Sequence, residues 1–441
     1  MPLVKNHGRQ YDIVVLGATG YTGKLTAEYI SMHLATDLKW AVSGRNEPKL
    51  KAVVEECREL NPDRLPPAIE VVNLNDADLS VLAKKTCIIV TTIGPYSLYG
   101  EHAYKACAEA GTHYVDVTGE AAWVHKMIKK YEATAKQTGA ILIPQAGIES
   151  APADLITWTM AKAIRTDLGS QTRDVVVSLH KINSAPSGGT LATALSIWDV
   201  FSLQEIKEAS SPYAQSPIPR NNEPTRPRSS ILQMIFGVRT IPNLGLQTTS
   251  VTNSTDVAVV ERTWGLLSST PSRKDEFYGP NFVWVEHMKA RNWLHGIFIH
   301  WLLIVGGILL VSVAPLRSFL KKRVYQPGEG AKREDTAKDE LEYRGIAYPD
   351  SEKAAGKAAF CRMWYHGGMY FCKFEMQNDH ELLLTVLPTV TGMLLAEIAA
   401  TILEDDIELD GGSYTPACLG QGLVDRLDKS GFRTDVKIID A

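Results

Sequence analysis

YDIVVLGATGYTG, residues 11–23, places three glycines at three-residue spacing behind an apolar run. Val14, Val15 and Leu16 read as a short strand that stops at Gly17, and Lys24–His33 reads as the helix that follows. Strand, glycine turn and helix in that order form the context of a dinucleotide-binding turn. Gly17 permits the tight turn, Gly20 lets the backbone approach a pyrophosphate, and Gly23 lets the helix pack close to the strand. The helix would then aim its free N–H groups and the positive end of its dipole at the phosphates. The spacing is GxxGxxG, not the commoner GxGxxG; without a ligand the same residues would make an ordinary strand-to-helix turn.

The remaining chain sets bounds on what this turn belongs to. At 441 residues it is long enough for two domains or one composite domain. With 45% hydrophobic and 22% charged residues it can form a core. A formal net charge of -4 and a pI near 6.3 point away from nucleic acid. Cys57, Cys87, Cys107, Cys361, Cys372 and Cys418 lack metal-ligand spacing, which suits a reducing compartment and predicts no metal. The first ten residues lack the apolar core of a secretory signal, and the C-terminal IIDA carries no evident targeting tail.

Lys39–Ser43 reads as a second strand, followed by Gly44 and Arg45. An NAD site wants a carboxylate there for the ribose 2′-hydroxyl, whereas a hydroxyl and a guanidinium suit a 2′-phosphate. Ser43 and Arg45 therefore favour NADP, the alternative being a surface Arg in a turn. Pro48–Leu60 reads as an amphipathic helix, Ile69–Val72 as a strand, and Cys87–Thr92 as a buried parallel strand. Strands alternating with helices predict a doubly wound α/β sheet. The loop Thr91–Tyr99 leaves a strand end and should pass the nicotinamide ribose. The cofactor set is thus Gly17, Thr19, Gly20, Tyr21, Thr22, Gly23, Ser43, Arg45, Thr92 and Gly94. Tyr96 is the best proton donor on loop position, and with Tyr99 it could equally pack as a lid aromatic. Asp116, Glu120, Glu149 and Asp154 sit at strand ends or helix starts, where acids are usually caps. Tyr131 is followed by Thr134 and Ala135, so no Tyr-xxx-Lys pair follows the fifth strand.

YDIVVLGATGYTG, AVSGR, TTIGPYSLYGEHAYKACAEAGTHYVDVTGE, PQAGIESAPADL, SGGT and the late GGSYTPACLG (Gly411–Gly420) resemble the saccharopine dehydrogenase-like oxidoreductases. The nearest branch is the one with the eukaryotic saccharopine dehydrogenase-like oxidoreductase and the mycobacterial trans-acting enoyl reductases. The resemblance is specific over the first half and patchy from Pro212 to Glu381. It implies an N-terminal Rossmann domain (1–155), a second α/β domain for substrate or dimer contact (156–385), and C-terminal helices returning to the first (386–441). It further implies NADPH-dependent hydride transfer to an enoyl or related unsaturated acyl, polyketide or lipid-like group, carried on a small molecule, a carrier or a partner synthase. The basic constellation that saccharopine itself would need is missing. A rival from another class is a non-catalytic dinucleotide-binding scaffold or sensor on a membrane or lipid droplet.

In the second half, Asp174–Ile182 alternates like a strand, and Ser187–Thr190 (SGGT) opens a helix predicted to reach about Glu208. Ser210–Ser230 reads as a surface loop. Val257–Arg262 and Phe282–Glu286 are predicted strands. Phe360–Tyr365 and Met369–Phe374 are predicted to form a hairpin turning at His366–Gly368, and Gln326–Arg344 a polar loop. Between Arg291 and Arg317, Asn292–Leu316 holds no Asp, Glu, Lys or Arg. That length matches the roughly 20 residues that cross a bilayer. His295 and His300 fall on different helix faces and form no metal pair. The segment predicts either membrane contact or a helix buried in the second domain. Because the C-terminal elements must return to the first domain, contact is expected to be monotopic or re-entrant, on the cytoplasmic side of the endoplasmic reticulum or a lipid droplet. Gly306–Gly307 and Pro315 are the expected bends.

Overall fold

Six apolar runs line up as parallel strands: β1 (Tyr11–Leu16), β2 (Trp40–Gly44), β3 (Ala68–Val71), β4 (Thr86–Thr91), β5 (His113–Asp116) and β6 (Ile141–Ile143). The structure, a computed structural model, describes residues 5–183, 188–220, 230–323, 328–329, 340–366 and 390–441. Their order is β6-β5-β4-β1-β2-β3, and a seventh short strand, β13 (Gly412–Ser413), pairs in parallel with β6. The intervening helices are α1 (Tyr21–His33), α2 (Glu47–Leu60), α3 (Asp76–Lys84), α4 (Tyr96–Tyr99), α5 (Glu101–Ala110) and α6 (Ala121–Thr138). All six residues of β1 are buried. Ile13 and Val15 join a core with Tyr29 and Ile30, while Val14 and Leu16 join one with Leu79, Tyr104 and Tyr114. Helices therefore cover both faces, which is why the central strands β1 and β4 are buried along almost their whole length. The chain winds outward from β1 to β3, then restarts at β4 on the other side of β1. The carboxyl ends of β1 and β4 form the switch point where such sheets bind ligands.

The second sheet is mixed. It holds β7 (Thr172–Asn183), β8 (Arg239–Ile241), β9 (Gly245–Thr249), β10 (Val283–Lys289), β11 (Glu340–Pro349), β12 (Lys357–His366) and β14 (Arg433–Asp440), in the order β14-β12-β11-β7-β10-β9-β8. Among the described residues of this sheet only β7 and β10 pair in parallel. Buried α7 (Ala151–Leu168) joins the sheets and packs on β11 and β12. Then come α8 (Gly188–Val200), α9 (Leu203–Ala209), α10 (Ile231–Phe236), α11 (Asn253–Ser269), α12 (Trp293–Ser312) and α13 (Ala314–Lys321). The returning helix α14 (Val390–Glu404) lies on α1, where Tyr29 donates to Glu397 Oε1 at 2.6 Å. A Cβ on Gly392 would lie 3.1 Å from Leu25 O, so glycine permits that approach. After α15 (Gly420–Lys429) the chain ends in β14, on the second sheet.

Several local expectations give way to the fold. Val257–Arg262, predicted as a strand, lies inside α11; a short apolar run is ambiguous when its helix is buried almost all round. Within it, Arg262 is paired with Glu132 at 3.0 Å and donates to Ser413 O. The helix from Gly188 stops at Val200, and Ser202 with Glu205 forms a capping box that starts α9. Residues 340–344, read as polar loop, open β11. Their alternation was masked by Glu342, which is buried because Arg344 and Arg362 bind it at 2.6 and 2.9 Å. A hairpin pairs β11 with β12, turning at residues 350–356. Met369–Phe374 and Gly367–Gly368 lie outside the described residues, as does Ser187. Finally, α12 runs unbroken through Gly306–Gly307. The break falls at Val313, with Pro315 in the first turn of α13.

Candidate functional site

The turn after β1 shows why three glycines are needed. Gly17 has φ +93°, and a Cβ on Gly23 would lie 2.2 Å from Gly17 O. Ser43 O at the end of β2 accepts from Gly17 N at 2.9 Å and Ala18 N at 3.3 Å, pinning the turn to that strand. Gly20 is the N-cap of α1 and has no side chain to cap it, which leaves the helix start open to an anion. The Gly328 carbonyl accepts from Tyr21 N there, at 3.1 Å. Thr92 Oγ1 lies 3.3 Å from Gly17 O, joining the β4 end to the same turn. Ser43 is fully buried and its hydroxyl has no hydrogen-bond partner among the described residues, while Arg45 is exposed just beyond it. A helix start without a side-chain cap, a Cβ-free cradle, and an orphaned hydroxyl two residues before an exposed arginine fit a phosphorylated dinucleotide.

At the switch point lies a cavity of about 530 Å³. Its lining combines the polar Thr22, Thr92, Thr118, Glu149, Thr252 and Thr255 with the apolar Ile197, Trp198, Leu303 and Leu310. Gly94 and Tyr96 also border it. Tyr96 is nonetheless buried, and its hydroxyl donates to Thr91 O at 2.9 Å. Burial and the Asp116 charge push that phenol well above its ordinary pKa. Its proton is thus committed to the backbone at the β4 end. Tyr99 is exposed and does not border the cavity.

The four acids separate by environment. Glu120 accepts from Tyr96 N at 2.6 Å and Ser97 N at 3.0 Å, so it caps α4. Asp116 accepts from Thr118 N, Gln145 N and the Tyr114 hydroxyl, and burial raises its pKa to about 7. Asp154 holds Thr263 and Ala417 N, with the same rise to about 7 from burial. Glu149 differs. It makes no hydrogen bond among the described residues, borders the cavity, and keeps part of its surface open to it. Its carboxyl is set deep enough that desolvation raises its pKa. The sequence placed Glu149 in a strand-to-helix turn, as it did the caps, and gave no signal for Thr252 or Thr255, which reach the cavity from the second half of the chain.

The apolar wall is α12. Gly296 O accepts from Thr248 at 2.7 Å, and His300 Nδ1 lies 2.7 Å from Thr249 Oγ1, so its first half is tied to β9. Beyond Val313, Arg317 and Lys321 bind Asp199 of α8 at 2.9 and 2.7 Å. Both ends are therefore attached to the same body. Between them Leu302, Leu303, Gly306, Gly307 and Leu310 border the cavity. The outer face is bare: Leu294 is 80% exposed and Phe298 62%, and Ile231, Leu232 and Met234 of α10 extend the apolar surface. Of the described helices, α12 is the one long and apolar enough to cross a membrane.

A parallel sheet with a phosphate-binding turn at its switch point defines the scaffold of a pyridine-nucleotide oxidoreductase. Residues 13–143 match the family model of the saccharopine dehydrogenase NADP-binding domain, which supports NADP as the cofactor held at this turn. Over 440 aligned residues, covering 96% of each chain, the protein is 28% identical to a Mycobacterium tuberculosis protein provisionally named a trans-acting enoyl reductase. It is 34% identical over 182 residues to the lipid droplet localized protein of Caenorhabditis elegans, covering 41% of this chain and 42% of that one. Among solved structures it is similar to saccharopine dehydrogenase (L-Glu forming) of Saccharomyces cerevisiae, with TM-score 0.48 and 10% identity over 97% of this chain and 99% of that one.

Proposed function

We propose that the protein is an NADPH-dependent reductase of an activated carbon–carbon double bond in an acyl group, working at a lipid surface. The observation that carries this reading is the cavity itself, which joins the dinucleotide turn, a free protonatable carboxyl and an apolar wall in one space. Bound NADPH would supply the hydride for the β-carbon. The glycine turn with Thr19, Tyr21 and Thr22 would hold the pyrophosphate, with the Gly328 carbonyl giving way to a phosphate oxygen. Ser43 and Arg45 would take the 2′-phosphate, and Thr92 and Gly94 would border the nicotinamide ribose. Glu149 would protonate the α-carbon, leaving a saturated C–C bond and a glutamate carboxylate that recovers its proton from water. Tyr96 would hold the β4 end in place.

The names of the mycobacterial relatives support an enoyl substrate, and "trans-acting" supports delivery by a separate synthase. The lipid-droplet relative and the bare face of α12 support a monotopic position, since both helix ends return to one body. The division into a cofactor domain, a second domain carrying α12 and a returning C-terminal part is part of the same proposal.

Purified protein incubated with NADPH and enoyl thioesters of several chain lengths should oxidise NADPH and yield the saturated product, with NADH much poorer. Tight NADPH binding without turnover on enoyl, keto and imine panels would overturn the reductase reading in favour of a sensor.

A further inference from the structure

The geometry points to a port in the cavity wall. We infer that the cavity is filled from the lipid side, between Leu303 and Leu310 of α12, by the acyl chain of a lipid resident in the membrane or droplet monolayer. This rests on the reductase reading for its chemistry but not for its geometry.

Three observations carry it. First, α12 has two apolar faces. At about 100° per residue, Leu303, Gly307 and Leu310 share the face toward the cavity, while Leu294, Phe298, Trp301, Val305 and Ile308 share the opposite one. A helix apolar all round is ordinarily buried or in lipid, and only Gly296 and His300 of this one are buried in protein. Second, the glycine pair is not there for close packing. A Cβ on Gly306 or on Gly307 would meet nothing within 4 Å, whereas one on Gly296 would lie 2.4 Å from Val238. Gly296 is the packing glycine; Gly306 and Gly307 leave a gap in the middle of a wall spanning about 10 Å. Third, Leu302 borders the cavity and is also 52% exposed, so cavity wall and outer surface are continuous there. The flanks fit a headgroup boundary: Trp293 is exposed at one end, and Arg323 stacks on exposed Phe319 at the other. A lipid chain that enters at the glycine pair meets Ile197 and Trp198 and leads its polar end toward Glu149 and Thr92.

The probe is a phosphatidylcholine vesicle doped with a phospholipid bearing a diazirine on its acyl chain. Full-length protein is irradiated with it and cross-linked peptides are mapped by mass spectrometry. Cross-links are expected on the outer residues Phe298 and Ile308 and also on the cavity residues Ile197 and Trp198. Gly307→Phe should keep the outer cross-links and NADPH affinity while losing the cavity ones at least tenfold. In turnover, the same variant should lose at least tenfold on a long-chain enoyl ester presented in vesicles, and less than twofold on a water-soluble four-carbon enoyl thioester. Outer cross-links alone in the unmodified protein, or cavity cross-links that survive Gly307→Phe, would overturn the port. Failure of the unmodified protein to reduce either substrate would sink the reductase reading while the cross-linking still decides the port.

Discussion

β1 and α12 are both mostly apolar and meet opposite fates. In β1 all six residues are buried by helices from both sides. In α12 two residues of twenty are buried. The strand finds its apolar partners inside the chain; the helix does not. Each buried Val, Leu or Ile is worth roughly 1.5–3 kcal/mol, so the strand stabilises the protein alone, whereas the helix leaves a comparable free energy to be gained elsewhere. The same chain thus holds a closed half around the glycine turn and a half in which α12 keeps a bare apolar face, and the cavity lies where they meet.

The largest expected effect breaks the cofactor half. Gly23→Val puts a side chain where even a Cβ would lie 2.2 Å from Gly17 O. NADPH binding, followed by the fluorescence of the bound nucleotide, should be lost beyond 100-fold, with stability falling by about 1–3 kcal/mol or more from overpacking. The half that carries α12 should not notice, and vesicle flotation should be unchanged. The converse variant, Phe298→Glu with Ile308→Glu, removes two exposed apolar contacts worth about 3–6 kcal/mol together. Flotation should be abolished and NADPH affinity kept within twofold; coupled losses would mean the halves are not independent.

Glu149→Gln tests the meeting point. A positioned general acid contributes about 10²–10⁴-fold, so kcat should fall by that range while NADPH affinity holds. Burial raises the Glu149 pKa, so the active protonated form is full below the raised value and is lost as pH rises through it. The unmodified enzyme should therefore show a descending alkaline limb, and Glu149→Gln should not. An unaltered pH profile in the variant would remove Glu149 from proton transfer. The smallest effect is Arg45→Asp. Losing a charge-assisted contact costs on the order of 1.5–3 kcal/mol, which should weaken NADPH by roughly 10–100-fold and shift preference toward NADH in parallel titrations.

Short-range rules made the cofactor half readable. Gly17, Gly20 and Gly23 announce a turn because backbone sterics act within a few residues, and the strand and helix around them confirm it. The same rules failed at Val257–Arg262 and at residues 340–344. There the outcome hung on partners far along the chain: Glu132 and Ser413 for Arg262, Arg362 for Glu342. Glu120 and Glu149 look alike in sequence, both acids at a turn before a helix. Glu120 meets two N–H groups and becomes a cap, whereas Glu149 meets a cavity.

By itself the sequence determined the parallel sheet, the glycine turn between its first strand and helix, and the presence of one charge-free segment long enough to meet a bilayer. Each is written in neighbouring residues, through backbone sterics, local charge or an uninterrupted apolar run. Only the tertiary structure decided that this segment walls the cavity at the switch point, that both its ends return to one body, that its paired glycines face open space, and that Glu149 makes no hydrogen bond among the described residues. Those properties depend on contacts of β9 with α12 and of α8 with α13, elements 50 to 120 residues apart. Which surface an apolar helix buries, and which acid loses its water, is set by what the fold brings against it.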